Sequence, residues 1–102
     1  MKKPKVINIR TGEHYDVYIG RAGKGEEGYF GNPVTEGTRS EKIKGFRNYA
    51  IDRVNTDNEY RQKVKALSGK TLGCFCKPLE CHGDVLAELC ITLNLEDDVF
   101  DN

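Results

Sequence analysis

A cysteine-rich turn between a predicted strand and a predicted helix is the feature that most constrains the fold of this chain. Residues 71–86 read TLGCFCKPLECHGDVL and place three thiols and one imidazole within nine residues. The segment before the turn is short and apolar, which is typical of a buried strand, and the apolar residues after it recur at helical spacing. A strand that passes directly into a helix is a building block of α/β folds.

The rest of the chain repeats this alternation of strands and helices. The predicted strands cover residues 5–10, 15–20 and 70–76, and the predicted helices cover residues near 39–54, near 57–68 and a closing segment whose apolar face is Val85, Leu86, Leu89 and Leu93. We therefore predict the α/β class, as a small Rossmann-like layered sandwich with a short sheet and about three helices.

Helix boundary signals support the first two helices. Thr38 precedes Glu41, and Thr56 precedes Glu59, at the spacing of a capping box in which each side chain bonds the backbone N–H of the other residue. Gly69 follows the second predicted helix, where a C-cap glycine is expected. These signals predict helix starts at Thr38 and Thr56.

Length and charge limit the class of protein. With 102 residues the chain can form one hydrophobic core, so we predict a single domain over residues 1–95 and a loose acidic tail over residues 96–102. The 16 Lys and Arg residues balance the 16 Asp and Glu residues, and this balance disfavours binding to nucleic-acid polymers. No long apolar run or signal-like segment is present, which predicts a soluble cytoplasmic protein with reduced thiols and no membrane partner.

The cysteine-rich turn has three competing interpretations. Cys74, Cys76, Cys81 and His82 could hold zinc, although their spacing departs from that of structural zinc sites. A thiol or imidazole near a helix start could instead be reactive. Alternatively, backbone N–H groups at Gly83 could cradle an anion, with His82 or Lys77 as a further donor. If Cys74 and Cys76 lie on one strand, their side chains share a face. Simple packing is the alternative for each thiol, and it is the expected role of Cys90.

A glycine-rich loop over residues 20–37 is the second candidate site. Arg21, directly after a predicted strand, is a candidate phosphate clamp, and Tyr18 is the sheet tyrosine expected to face a ligand. Tyr29 and Phe30 could stack on a planar base while Asn32 bonds its edge. The alternative is that both aromatic rings fold onto the core.

The motifs together resemble a known family. The segments VINIR at 6–10, DVYIGR at 16–21, GNP at 31–33 and LGCFCKPLECHGDVL at 72–86 resemble the family numbered 4326 among the domains of unknown function, which is common in phages and bacteria. The family usually has Trp where this chain has Phe75. The resemblance covers nearly the whole chain and implies no particular activity. It implies that the motif positions include Arg21, Asn32, Cys74, Cys76, Cys81, His82 and Gly83.

From the residues and the phage setting of that family we expect a protein that binds a small anionic, nucleotide-derived ligand. In a phage it would sequester a nucleotide immune signal, in the cytoplasm of a bacterium or of an infected host cell. The expected ligand-binding residues are Tyr18, Arg21, Tyr29, Phe30, Asn32, Lys77, Cys81, His82, Gly83 and Asp84.

Two alternatives stay open. The first is a hydrolase of nucleotide or N-glycosidic bonds, with Cys81, His82 or Asp84 in acid–base roles. The second is a zinc-stabilised interaction module that a chelator would unfold. No cofactor is expected unless the zinc alternative holds, and a homodimer is expected because dimers are common among small domains.

Overall fold

A computed structural model describes residues 2–23, 25 and 28–100 of the chain. Its regular elements include three parallel strands and three α-helices. The strands are β1 (Lys5–Asn8), β2 (Val17–Tyr18) and β3 (Thr71–Cys74), and the helices are α1 (Arg39–Thr56), α2 (Asn58–Lys65) and α3 (His82–Phe100). The predicted α/β class with a short sheet and three helices is confirmed. A Rossmann-like arrangement of the layers stays a prediction.

β3 lies at the centre of the sheet and runs parallel to both neighbours. The strand order is β1-β3-β2, and Leu72 pairs with Val6 on one side and with Val17 on the other. Parallel strands need a crossover connection, and α1 and α2 lie in the connection from β2 to β3. Because the strands run the same way, their carboxyl ends meet at one edge of the sheet.

The strands end earlier than the sequence predicts. β1 stops at Asn8 because residues Ile9–Thr11 form a 3-10 turn, in which the Asn8 side chain accepts the Arg10 N–H at 2.9 Å. β3 stops at Cys74, so Cys76 lies beyond the strand. The prediction that the side chains of Cys74 and Cys76 share a face requires both residues to lie on one strand, and only Cys74 does.

One of the two predicted capping boxes is confirmed. At the start of α1, the Glu41 N–H donates to Thr38 Oγ1 and the Thr38 N–H donates to Glu41 Oε1, both at 3.1 Å. At α2 the cap is Asp57, whose carboxylate accepts the Tyr60 N–H at 3.2 Å. The box predicted at Thr56 is wrong by one residue because Thr56 still belongs to α1.

The closing helix is long. α3 continues to Phe100 and so includes residues 96–100 of the predicted acidic tail, while residues 101 and 102 lie outside the described part of the chain. The domain limit at residue 95 stays a prediction. Within the described residues, neither α3 nor any other helix combines the length and apolar character needed to cross a membrane.

The core lies where the three helices pack together and against the sheet. Buried residues follow each helix at helical spacing, and they meet apolar residues of β3 and of the segment after β2. The largest fully buried side chains include Ile19, Phe46, Tyr60, Val64, Leu72, Val85 and Leu86. Cys90 is also fully buried in this core, as its predicted packing role requires.

Candidate functional site

A cleft of about 940 Å³ opens at the edge of the sheet where the three strands end. Its volume lies within the range of about 300–1,000 Å³ that is typical of small-molecule sites. Ligands of open α/β sheets bind outside the carboxyl ends of the strands. Residues that follow each strand line this cleft: Ile9 and Arg10 after β1, Gly20 and Arg21 after β2, and Phe75 and Cys76 after β3.

Basic side chains outnumber acidic ones among the described residues of the cleft wall. The basic residues are Arg10, Arg21, Arg39 and Lys42, and the acidic residue is Glu80. Arg39 and Lys42 stand three positions apart near the start of α1, so they share one face of that helix. Arg39 also donates to the Glu80 carbonyl at 3.2 Å, which ties α1 to the cysteine-rich turn. This charge distribution favours an anionic ligand.

Phe75 is a large apolar side chain that stays 48% exposed at the cleft. The Arg10 guanidinium lies 5.3 Å from its ring centre, and the Tyr18 ring meets it edge-on at 6.3 Å between centroids. Asn8 braces this arrangement, because its side-chain amide donates to the carbonyls of Lys77 at 2.8 Å and Phe75 at 3.4 Å. An exposed ring beside a cation can stack on a planar group.

The predicted residues Tyr18, Arg21 and Asn32 all line the cleft, and their polar groups also hold its wall together. The Arg21 guanidinium donates to the carbonyls of Asn32 at 3.3 Å and Val34 at 2.9 Å. The Asn32 side chain accepts the Val34 N–H at 2.9 Å and donates to the Lys42 carbonyl at 3.0 Å. The Tyr18 hydroxyl donates to the Arg21 carbonyl at 2.8 Å. These bonds fix the glycine-rich loop against α1.

Tyr29 and Phe30 fold toward the core, as the alternative interpretation of that loop proposes. Phe30 is buried, Tyr29 is partly buried, and their ring centres lie 6.2 Å and 5.9 Å from that of Tyr60. Tyr29 also lines a smaller cleft of about 380 Å³ beside Arg53, whose guanidinium lies 5.0 Å from the Tyr29 ring centre. Neither aromatic residue is among those that line the larger cleft.

The turn brings two thiols into contact. Cys74 Sγ and Cys81 Sγ lie 3.2 Å apart, and each residue is 1% exposed. The Cys81 thiol donates to the Cys74 sulfur, which lowers the pKa of Cys74 to about 6. The same hydrogen bond, together with burial, raises the pKa of Cys81. The Gly83 N–H donates to Cys81 Sγ at 3.3 Å. The two sulfurs therefore behave as one pair that shares a proton near neutral pH.

His82 is buried beside this pair. Its Nε2–H donates to the Ile19 carbonyl at 2.6 Å, and the Phe46 ring packs edge-on against it at 5.0 Å between centroids. Burial lowers the pKa of His82, although the hydrogen bonds with the backbone of Ile19 and Phe30 oppose this effect. Because Nε2 carries the proton of the neutral imidazole, Nδ1 presents a lone pair, 3.8 Å from Cys81 Sγ.

Protein groups occupy the start of α3. The Asp84 carboxylate accepts the Cys81 N–H at 3.2 Å and the Lys77 ammonium at 2.7 Å, and the bond to Asp84 raises the pKa of Lys77. A Cβ atom on Gly83 would lie 2.6 Å from Ile19 Cδ1, so glycine lets α3 approach the sheet. Lys77, Gly83 and Asp84 are not among the described residues that line the cleft. An anion cradle at this helix start stays a prediction.

Within the described residues, no group of three or more His, Cys, Asp and Glu side chains is arranged to hold a metal ion. Cys74 and Cys81 are in contact, but His82 directs Nε2 to Ile19, and Cys76 lies beyond the end of β3. Of the predicted metal residues, Cys74 and Cys81 form a thiol pair, and zinc binding at the turn stays a prediction.

Sequence reasoning missed several residues of the cleft wall. Arg10 is the last residue of the first predicted strand, and Arg21 directly follows the second, so the same rule about strand ends could have found Arg10. Arg39 and Lys42 have the spacing of a shared helix face, but only the packing of α1 beside the strand ends shows that this face meets the cleft. Asn8, which is not among the lining residues but braces Phe75, gave no sequence signal, because its partners are backbone carbonyls 67 and 69 residues away.

Comparisons with known proteins agree with the resemblance found in the sequence. The family model described as Domain of unknown function (DUF4326) matches residues 6–92. The "Uncharacterized 12.4 kDa protein in nrdA-td intergenic region" of Enterobacteria phage T4 is 29% identical over 83 residues. That match covers 81% of this chain and 65% of the phage protein, so the chain spans just under two thirds of that relative's length. No solved structure gives a significant match.

Proposed function

We propose that this chain, which belongs to the DUF4326 family, binds a small nucleotide-class ligand that combines a planar ring with an anionic group. The observation that carries the proposal is the cleft at the strand ends, where an exposed Phe75 stands among basic side chains. A nucleotide matches both features, because its base is planar and its phosphate is anionic. The cleft volume of about 940 Å³ suits a small molecule better than a polymer.

The base is assigned to the ring of Phe75. One aromatic ring stacked on a base contributes roughly 1–3 kcal/mol in nucleic-acid-binding proteins. The Arg10 guanidinium, 5.3 Å from the ring centre, adds a cation beside the same surface. Asn8 donates to the Phe75 carbonyl and accepts the Arg10 N–H, so both residues are held in place before a ligand arrives.

The anionic group is assigned to Arg39 and Lys42. No acidic side chain among the described residues forms an ion pair with either of them. Arg39 uses one guanidinium nitrogen for the Glu80 carbonyl, which leaves the other donors of its planar fork for phosphate oxygens. Lys42 adds a second positive charge on the same helix face.

Binding is favoured over hydrolysis by the state of the proposed acid–base groups. His82 bonds Ile19 through Nε2, Asp84 bonds Lys77 and the Cys81 N–H, and Cys81 bonds Cys74. Each group is therefore already engaged with a protein partner. A protein that binds without turnover acts by sequestration, and in a phage setting, such as that of the T4 relative, the sequestered compound we propose is a nucleotide immune signal.

A single-tryptophan variant tests the proposal. The chain has no Trp, so Phe75→Trp introduces one fluorophore at the proposed stacking surface, and the resembled family usually carries Trp there. We expect saturable quenching by AMP or by a member of a panel of cyclic dinucleotides, weaker quenching by adenosine, and competition by inorganic phosphate. Chromatography of the same mixtures reports turnover, and recovery of intact ligand is the expected result.

The matched control compares two lysines of α1. In the Phe75→Trp background, Lys42→Ala should weaken binding about tenfold, which corresponds to about 1.4 kcal/mol. Lys44→Ala removes the same charge from an exposed position that does not line the cleft, and it should leave the affinity unchanged. Unquenched fluorescence with every nucleotide of the panel, or equal losses for the two lysine variants, would contradict the proposal. Conversion of the nucleotide would favour the hydrolase.

A further inference from the structure

Two buried thiols meet at a junction of the fold, and the ligand contacts proposed above use neither of them. Cys74 is the last residue of β3, and Cys81 directly precedes α3. Their sulfurs lie 3.2 Å apart, each residue is 1% exposed, and both are free thiols. The sulfurs of a disulfide lie about 2.05 Å apart, so a shift of little more than 1 Å separates this contact from a covalent bond.

The surroundings favour sulfur chemistry over inert packing. The Gly83 N–H donates to Cys81 Sγ at 3.3 Å, and the lone pair of His82 Nδ1 lies 3.8 Å from the same sulfur. Cys74 accepts the Cys81 S–H, so a developing negative charge on Cys74 is stabilised. Cys90 provides the contrast, because burial raises its pKa and its neighbours are the carbonyl of Lys65 and the side chain of Asn94.

The pair is within reach of small oxidants. Both residues are part of the wall of the large cleft, so a small molecule in that cleft comes close to them, although each residue is only 1% exposed. Cys76 lines the same cleft and is only partly buried. A bulky protein oxidant has no such access, since the pair is almost fully buried.

We propose that Cys74 and Cys81 form an oxidation site that a small hydroperoxide converts into an intrachain disulfide. The deprotonated Cys74 sulfur attacks one oxygen of hydrogen peroxide, the O–O bond breaks, and the leaving hydroxide takes up the proton that Cys74 had released to solvent, which gives water. The Cys81 sulfur then attacks the resulting sulfenic acid, and the departing hydroxide takes the Cys81 proton. The net change converts two thiols and one peroxide into one disulfide and two waters.

The new bond would change the cleft. It would close the loop over residues 75–80, which carries Phe75 and whose Glu80 carbonyl accepts a bond from Arg39. Oxidation would also remove the shared proton and the charge of the thiol pair from the cleft wall. The cleft wall can therefore have Cys74 and Cys81 either as free thiols or as a disulfide. This proposal does not depend on a nucleotide being the ligand.

Thiol counting after peroxide treatment tests the site without any ligand. The reduced chain should take up four alkyl groups under denaturing conditions, because it has four free cysteines. After treatment with hydrogen peroxide it should take up two, and non-reducing peptide mapping should join Cys74 to Cys81. Dithiothreitol should restore all four.

Variants separate this pair from the other thiols. Cys76→Ser and Cys90→Ser should still form the bond, whereas Cys74→Ser and Cys81→Ala should not. If either of the last two fails to fold, peptide mapping of the unmodified chain still decides the question. A disulfide that includes Cys76, or Cys74 and Cys81 that stay alkylatable while peroxide is consumed, would overturn the proposal.

Discussion

The imidazole of His82 is joined to the end of β2 by a hydrogen bond of 2.6 Å from its Nε2–H to the carbonyl oxygen of Ile19. The next residue, Gly83, packs against the Ile19 side chain so closely that a Cβ atom would lie 2.6 Å from its Cδ1. Two adjacent residues of the cysteine-rich turn therefore set the position of α3 on the sheet. This contact links the turn to the strand end that carries Arg21.

The buried imidazole makes stability depend on pH. Burial lowers the pKa of His82 below its unfolded value, so the fold favours the neutral form. The stabilising contribution is complete above the ordinary pKa of about 6.5 and is lost as the pH falls below it. Arg21 also lowers the pKa of His82, whereas Asp84 raises it. We expect the melting temperature to fall on acidification through this range.

Two substitutions isolate the contribution of His82. His82→Gln keeps an N–H donor for Ile19 and removes the titration, so its melting temperature should vary less with pH than that of the unmodified chain. His14→Gln, at the other histidine, whose side chain is 86% exposed, is the comparison and should change the pH dependence less than His82→Gln does. Melting curves from about pH 7.5 to about pH 5 cover the ordinary imidazole pKa of about 6.5. An unchanged slope in His82→Gln would contradict the prediction.

Gly83→Ala should destabilise the fold. The added methyl group would lie 2.6 Å from Ile19 Cδ1 and 2.9 Å from Val6 Cγ1, so α3 would have to move away from the sheet. Overpacking of this kind typically costs about 1–3 kcal/mol. Urea denaturation measures the loss, and Thr92→Ala, at an exposed position of the same helix, is the control. A Gly83→Ala variant as stable as this control would contradict the prediction, because it would show that α3 packs against Ile19 and Val6 less closely than these distances indicate.

Tyr60→Phe should stabilise the fold. The Tyr60 hydroxyl is buried and has no hydrogen-bond partner among the described residues, and burial raises its pKa. An unsatisfied buried polar group costs about 1–3 kcal/mol, so its removal should gain about 1 kcal/mol. For a domain of this size that gain corresponds to a rise in melting temperature of roughly 4–8 °C.

The control for this prediction is a second tyrosine of the same cluster. The Tyr49 hydroxyl accepts a bond of 2.7 Å from the Arg53 guanidinium. Tyr49→Phe should therefore lower the melting temperature, because it removes one hydrogen bond of that guanidinium, which keeps its ion pair with Asp57. If both substitutions lower the melting temperature, the Tyr60 hydroxyl has a stabilising contact, and the prediction is wrong.

Asn32→Ala should loosen the glycine-rich loop. The Asn32 side chain accepts the Val34 N–H and donates to the Lys42 carbonyl, and each net hydrogen bond contributes about 0.5–1.5 kcal/mol. We expect a loss of about 1–2 kcal/mol of unfolding free energy. Hydrogen exchange of the Val34 amide should accelerate in the variant. Asn48→Ala, an exposed position of α1, should change neither quantity. Equal exchange rates would contradict the bracing role.

The fold class was predictable because its signals are local. Short segments rich in apolar and β-branched residues marked the three strands, and the capping box at Thr38 marked the start of α1. The strand boundaries were predicted less well. β1 ends at Asn8, where the 3-10 turn over Ile9–Thr11 begins, and the Asn8 side chain also bonds the carbonyls of Phe75 and Lys77, which no short window of the sequence contains.

The candidate site was predictable in position and less so in composition. The rule that ligands lie at the carboxyl ends of parallel strands pointed to the edge of the sheet where the cleft opens, and Arg21 lines that cleft. The roles of Tyr29, Phe30 and Lys77 were harder to predict. The sequence around an aromatic or cationic loop residue does not show whether its side chain faces a ligand or another side chain. Tertiary contacts with Tyr60 and Asp84 occupy those three residues.

By itself the sequence determined the family, the alternation of strands and helices, and the cysteine-rich turn as a place of chemical interest, since each depends on residues close together in the chain. Only the tertiary structure decided that Arg10, Arg39 and Phe75 meet in one cleft and that Cys74 touches Cys81 while His82 turns toward Ile19. The physical reason is that helix and strand periodicity are set by local backbone geometry, whereas the partner of a side chain depends on how distant segments pack.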